Sequence, residues 1–397
     1  MLTSVAEARH RLLALAVPLT PQVLPLAAAA GRYAAADIVA LRTQPDTDLS
    51  AMDGYAIRHA DLPGPLRLIG ESAAGRPFAG ELAPGEAVRI FTGAAMPAGA
   101  DCVLVQEEAE RTTAHAGGDR VTVTGDGPAH PGRNVRRRAL DFAVGDVLVN
   151  AGDLLTPARL AVAAIGGHAT VPVRARVRVA IAATGDELRP AGAAIGPGEL
   201  PESNGVMIAA QLAGLPVDLV DMGILPDRRD TLAAAFRAVD ADVIVTTGGA
   251  SVGDHDLVRP ALEDAGAVID FWRIALRPGK PMMAGRLGGA TVVCLPGNPV
   301  SAFVTTEIFV KPLVRHLAGA GAPFPPTLRV PLGEPLPAND HREDYLRAEL
   351  RDGRAFVAAI QDSSMLRTLA RATCLVLRRP HAHAAAAGDM AEIVPLG

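Results

Sequence analysis

The chain has 397 residues, more than one hydrophobic core accommodates, so two to four domains are expected. With 49% hydrophobic and 20% charged residues it is not a disordered chain, and a net charge of -5 argues against a general nucleic-acid binder. Three cysteines (Cys102, Cys294, Cys374) with no CxxC spacing give no disulfide framework and suit the reducing cytoplasm.

The first residues read as a folded helix rather than a targeting segment. Arg9 to Arg11 precede an apolar stretch and Ala27 to Ala30 resemble a cleavage region, but Pro18, Pro21 and Pro25 break the stretch. Ser4 and Glu7 have capping-box spacing, and Val5, Ala8, Leu12 and Ala16 make one helical face. Residues 1–44 therefore read helix, Pro-rich turn, strand. Residues 45–141 are rich in Gly, Pro and short apolar runs. Strands are predicted at 87–91, 102–105 and 121–123, so this region is mainly β. Over 142–172 a strand and an alanine-rich helix (157–165) return, with Pro157 in its first turn after a Thr156 N-cap.

Residues 173–320 alternate between the two periods. Strands are predicted at 177–183, 217–222, 243–247, 268–272 and 291–295, and helices at 206–212, 230–239, 256–265 and 300–317. That order predicts a doubly wound α/β domain with a mostly parallel sheet. Residues 318–326 are a Gly/Pro linker, and the remainder to Gly397 reads as a small β domain. No segment has the ~18 consecutive apolar residues of a membrane span.

Three loops follow predicted strands directly: Thr184-Gly185-Asp186-Glu187, Thr247-Gly248-Gly249-Ala250-Ser251-Val252-Gly253 and Leu295-Pro296-Gly297-Asn298-Pro299. Open α/β sheets bind ligands at the carboxyl ends of their strands, so these loops should converge on one crevice. Glycines let backbone amides approach a ligand, and each loop feeds a helix N-terminus that favours an anion. Asp186, Glu187, Asp227, Asp254 and Asp256 gather at the same rim. They suit either Mg²⁺, a hard cation that takes oxygen ligands, or helix capping. In Arg273-Ile274-Ala275-Leu276-Arg277-Pro278-Gly279-Lys280-Pro281, alternation puts Arg273 and Arg277 on one face and two prolines shape the turn presenting Lys280. A positive cluster there suits an anion; a solvated edge strand is the other reading. Lys280 and Lys311 are the only lysines among 38 basic residues. The chain lacks a GxxxxGK[ST] loop, GxGxxG and HExxH, and its ten histidines show no zinc-ligand spacing.

Read together and in order, Ser-Ala-Met-Asp-Gly-Tyr-Ala (50–56), Thr-Gly-Ala-Ala-Met-Pro-Ala-Gly-Ala-Asp (92–101), Gly-Arg-Asn-Val-Arg-Arg-Arg (132–138), Ala-Thr-Gly-Asp-Glu-Leu (183–188), Thr-Gly-Gly-Ala-Ser-Val-Gly-Asp-His-Asp (247–256), Arg-Pro-Gly-Lys-Pro (277–281) and Leu-Pro-Gly-Asn-Pro-Val-Ser (295–301) closely resemble the MoeA family of molybdopterin molybdenumtransferases, which includes the C-terminal domain of gephyrin. The resemblance covers nearly the whole chain. It implies a multidomain α/β plus β subunit. A discontinuous stalk (1–44 and 142–172) holds an inserted mainly-β domain (45–141), followed by an α/β molybdopterin-binding domain (173–320) and a C-terminal β-barrel (321–397).

The implied reaction takes molybdate and adenylylated molybdopterin, uses Mg²⁺, and yields molybdenum cofactor and AMP. The implied assembly is a cytoplasmic homodimer whose active site is shared between subunits, with molybdopterin adenylyltransferase and apo-molybdoenzymes as further partners, and with neither nucleic acid nor membrane. By similarity Asp53, Thr92 and Asp141 serve from the partner subunit. Glu187, Asp227 and Asp256 face the nucleotide, metal and dithiolene end. Arg273, Arg277, Lys280 and Ser301 hold anions, beside Thr184, Gly185, Asp186, Gly248, Gly249, Ser251, Pro296, Gly297, Asn298 and Pro299. Arginine stands at 273 and 277 where the family usually carries lysine. It keeps the charge but cannot act as a proton donor. Arg347 and Ser363-Ser364 resemble the family's barrel pattern less distinctively than the motifs above.

Two other readings differ in class. The α/β domain alone is shared with molybdopterin adenylyltransferases and CinA-like pyrophosphatases, which lack the 50–56 motif and the inserted domain. A scaffold without catalysis would have no need to retain Asp53, Glu187, Asp227 and Asp256.

Overall fold

A computed structural model describes residues 2–113, 118–249, 257–271, 273–279 and 281–396. It divides into two compact units: residues 1–36, 151–156 and 171–397, and residues 37–150 with 157–170.

The first unit opens with the helix Val5–Ala14. Ser4 is its N-cap, and the Ser4 hydroxyl accepts the Glu7 amide at 3.1 Å. Val5, Ala8 and Leu12 bury the predicted face. The α/β part is a six-stranded sheet in the order Val217–Leu225, Val177–Thr184, Val243–Thr247, Ala290–Leu295, Met283–Leu287, Val268–Phe271. The first four strands are parallel, and Met283–Leu287 runs antiparallel to both its neighbours. Central strands of such a sheet are covered on both faces and so are apolar throughout. Val179 and Ile181 join one core with Ile208, Val304 and Ile308, while Ala180 joins the other with Leu232, Phe236 and Leu262. Helices Asn204–Leu212 and Pro299–Thr305 belong to the first layer, Arg229–Ala238 and Val258–Ala265 to the second. Between Pro299 and Leu317 the helix passes through a π-helical segment, Thr306–Val310.

The expected strands are present, and the structure adds Met283–Leu287. Its central glycine hides it in the sequence. Gly285 is required because a Cβ there would lie 2.3 Å from the Val268 carbonyl oxygen of the neighbouring strand.

The C-terminal β sheet of the same unit runs Leu276–Arg277, Glu343–Arg351, Cys374–Arg378, Met390–Pro395, Leu328–Pro331, with Arg354–Val357 hairpinned onto Glu343–Arg351. Leu276–Arg277 comes from the α/β stretch of the sequence, yet it pairs parallel with Glu343 and Asp344.

The second unit holds a mainly antiparallel six-stranded sheet: Cys102–Val105, Gly54–Ile57, Glu86–Ile90, Leu66–Ser72, Arg120–Val123, Ala109–Thr112. Tyr55 and Ile57 pack on one face, Ala56 on the other. The helix Pro157–Ile165 begins at the proline that pre-sets its first turn. Among the described residues, no helix is long and apolar enough to cross a membrane.

Candidate active site

The three glycine loops of the α/β sheet meet. The Thr184 hydroxyl donates to the Thr247 carbonyl at 3.3 Å. Gly248 has φ +89°, and a Cβ there would lie 2.4 Å from the Thr184 carbonyl oxygen. A Cβ on Gly297 would reach within 3.4 Å of the Gly248 Cα. So the first two loops touch through residue 248, and the third lies against them. Gly249, at φ +60°, faces Val258 so closely that a Cβ would sit 2.2 Å from its Cγ2. The loops enclose a small cleft of about 120 Å³, lined among others by Thr184, Glu187, Asn204, Thr247, Gly248 and Pro299. Asn204, which the motifs do not single out, donates its side-chain amide to the Gly297 carbonyl at 2.8 Å and so ties a fourth segment to the crevice. Its only sequence signal is a Ser-Asn pair opening a helix. Pro296 is buried, and Pro299 opens the helix that carries the buried Ser301. Asn298, the residue before that helix, does not cap it with its side chain. Its Oδ1 is buried without a partner among the described residues. Ser251, Asp254, Asp256 and Lys280 lie outside the described residues.

Carboxylates rim the crevice. Asp186 and Glu187 are exposed, and the Asp186 Oδ1 accepts the Asp227 amide at 3.0 Å, which joins two loops. Asp227 is half-buried. Burial raises its pKa above the ordinary aspartate value, and the negative charges of Asp186 and Glu187 push the same way. Gly185, at φ +149°, leaves room for the Glu187 carboxylate, 2.6 Å from where a Cβ would stand. Among the described residues no three His, Cys, Asp or Glu side chains gather as a metal-ligand set. The excess negative charge around Asp227 nevertheless fits a divalent cation, which takes oxygen ligands of this kind.

The segment after Phe271 has the expected alternation: Ile274 and Leu276 are buried, Arg273 and Arg277 exposed. Arg277 is nevertheless engaged. Its Nε donates to Asp344 Oδ2 at 2.9 Å, and Nη2 reaches the same oxygen. Nη2 also meets Asn339 Oδ1 at 3.2 Å, and Nη1 meets Asp340 Oδ2 at 3.4 Å. Asp344 is buried, and burial raises its pKa while Arg277 opposes the shift. Arg347 is 1% exposed, and among the described residues its guanidinium finds only Gln361 Oε1 and the Met365 and Ile360 carbonyls, at 3.2 to 3.5 Å. The Ser363 carbonyl accepts the Val300 amide at 3.2 Å, which places Ser363 against the start of the helix bearing Ser301.

In the other unit, the Asp53 Oδ1 accepts both the Thr92 amide (2.7 Å) and the Thr92 hydroxyl (2.8 Å). Those bonds hold its carboxyl below the usual range. Gly54 follows because its strand is crowded: a Cβ would lie 2.0 Å from the Leu104 carbonyl oxygen. Ser50 accepts the Gly93 amide on its carbonyl and pairs with Val135, so the 50–56, 92–101 and 132–138 segments interleave. Asp48 binds Arg137 at 2.6 Å and accepts the Arg138 amide. Asp141 is exposed, its amide donating to the Gln44 carbonyl at 3.0 Å.

Residues 3–167 match the profile "MoeA N-terminal region (domain I and II)", residues 180–316 "Probable molybdopterin binding domain", and residues 329–396 "MoeA C-terminal region (domain IV)". The chain is 40% identical over 318 residues to a molybdopterin molybdenumtransferase of Haemophilus influenzae, covering 79% of this chain and 77% of that one. The chain belongs to the MoeA family. A Mycobacterium tuberculosis member named molybdopterin molybdenumtransferase 2 is 36% identical over 367 residues, 86% of this chain and 84% of that one. A crystal structure of the MoeA protein from Pyrococcus horikoshii superposes with a TM-score of 0.84 at 26% identity, covering both chains fully. As a MoeA-family molybdopterin molybdenumtransferase, the protein is a transferase of molybdenum cofactor biosynthesis.

Proposed function

We propose that the protein inserts molybdate into adenylylated molybdopterin and releases AMP, with a divalent cation. The observation that carries this reading is the convergence of Thr184, Gly248 and Gly297 beneath a rim of acidic side chains. A phosphoanhydride needs backbone close enough to touch it and a means to offset its charge. The glycine loops supply the first. For the second, Glu187 and Asp227, with Asp256, would hold Mg²⁺, which when bound neutralises charge developing on the departing phosphate. Burial and the neighbouring carboxylates raise the Asp227 pKa, and a bound cation would favour its charged form. Molybdate, a tetrahedral dianion, is assigned to Arg273, Arg277, Lys280 and Ser301. Arg347 is added because it is a buried cation with no carboxylate bonded to it among the described residues.

Asp53, Thr92 and Asp141 would act from the partner subunit of a homodimer. The Thr92 bonds keep Asp53 ionised and fixed in direction, as a group that orients a substrate must be. We retain the four-domain division given above and a cytoplasmic site of action for this reading.

The test is AMP release from adenylylated molybdopterin by purified protein with Mg²⁺, with and without molybdate. Molybdate-dependent release, with a product that activates an apo-molybdoenzyme, supports the reading. Release indifferent to molybdate makes the protein a hydrolase instead.

A further inference from the structure

Arg277 is assigned to an anion, yet it already faces two carboxylates. Parallel pairing puts Arg277 opposite Asp344, whose side chain is 3% exposed. The Nε and Nη2 of the guanidinium are spent on that buried oxygen. This fork needs arginine; a lysine ammonium is a single point charge. Only Nη1 is left to point outward, and it meets Asp340 at 3.4 Å.

Asp340 sits between two cations. Arg342 Nη2 donates to its Oδ2 at 2.7 Å, and the Arg342 amide donates to Oδ1 at 2.8 Å. Asn339 is fixed by donating to the Arg342, Arg378 and Arg379 carbonyls, which aims its oxygen at Arg277. The group Arg277, Arg342, Asp340 and Asp344 therefore has two positive and two negative members, with no surplus charge for an oxyanion. Of the two acids, Asp344 is buried and fixed, whereas Asp340 is 36% exposed beside a 45% exposed Arg277. Solvent, and hence a dissolved anion, can reach this pair.

We infer that Asp340 is an internal competitor for the oxyanion at Arg277, held in the anion's place until molybdate displaces it, and that Asp344 is the positioning residue that aims Arg277 outward. The inference rests on the reading that molybdate meets Arg277. It makes Asp340 a determinant of oxyanion affinity, a role opposite in sign to that of a ligand: removing its charge strengthens binding.

Calorimetric titration of the full-length protein with molybdate alone, at low ionic strength, tests this. Asp340→Asn should tighten binding about two- to fivefold, the range of exposed ion-pair couplings. Arg277→Ala should weaken binding, and Asp340→Asn in the Arg277→Ala background should give no gain. A merely structural role for Asp340 would not yield a gain that depends on Arg277. Asp340→Ser, with thermal melts of each variant, guards against a local packing effect of asparagine. Unchanged affinity in both Asp340 variants overturns the inference, as does a gain that persists without Arg277. If wild type shows molybdate-dependent AMP release while the Asp340 variants bind molybdate as wild type does, the insertion reading stands and the competitor falls. If AMP release ignores molybdate but the Arg277-dependent gain appears, the competitor stands and the insertion reading falls.

Discussion

The α/β crevice and the Asp53 corner of the inserted β sheet both present a carboxylate, but they treat it oppositely. Asp53 is satisfied within its own unit by two bonds from Thr92, and its pKa is lowered. Asp227 is half-buried, accompanied by Asp186 and Glu187, and its pKa is raised. One corner is complete as it stands. Among the described residues, the other carries negative charge that a bound cation or a proton would relieve. Self-sufficiency and unmet charge are therefore divided between the two regions, and the crevice is where ligand binding should change most.

The sharpest way to break this contrast is charge removal. Asp227→Asn should cut AMP release by about 100-fold or more, as loss of a group that holds a charge-neutralising cation does. The melting temperature at neutral pH should be unchanged or higher. The sign follows from linkage: a carboxylate with a raised folded-state pKa contributes stability at low pH that is lost as pH rises through that pKa. Asp53→Asn should instead lower the melting temperature. Its depressed pKa gives stability present above the unfolded value and lost as pH falls through the folded value. Equal thermal responses of the two variants would dissolve the comparison.

Glycine substitutions separate the regions next. Gly248→Ala combines φ +89° with a Cβ 2.4 Å from backbone oxygen, so denaturant melts should show a loss of about 3 kcal/mol. Gly93→Ala, at φ +80° with nothing within 4 Å of a Cβ, should cost only about 1 kcal/mol. A smaller difference follows from pH. Divalent-cation binding, followed by calorimetry, should fade at a pH above the ordinary aspartate range, because Asp227 takes up its proton there. The smallest effect is at Thr92→Val, which removes one of two donors. The Asp53 carboxyl resonance should titrate at a higher pH than in wild type, while the Thr92 amide bond keeps part of the depression.

Much of this arrangement was legible in the sequence. Ser4 and Glu7 marked the first helix, and the runs at 177–183 and 243–247 marked central strands, because capping and burial act locally. The three glycine loops could be placed on one crevice because strand order alone brings their ends together. What stayed hidden depends on distant pairing. Arg277 reads as part of a positive cluster in sequence, yet its carboxylates lie 63 and 67 residues further on. The Asp53–Thr92 bonds span 39 residues. Met283–Leu287 escaped because Gly285 answers to the neighbouring strand's backbone and carries no period of its own.

The most direct test of the account mixes the two corners. Asp53→Asn and Asp227→Asn proteins, co-expressed with different tags and purified as mixed dimers, should recover molybdate-dependent AMP release. One of the two sites in each mixed dimer then has both aspartates, so activity should reach about half that of wild type. Mixed dimers as inactive as either parent would contradict the account, because each site would then draw both aspartates from one chain.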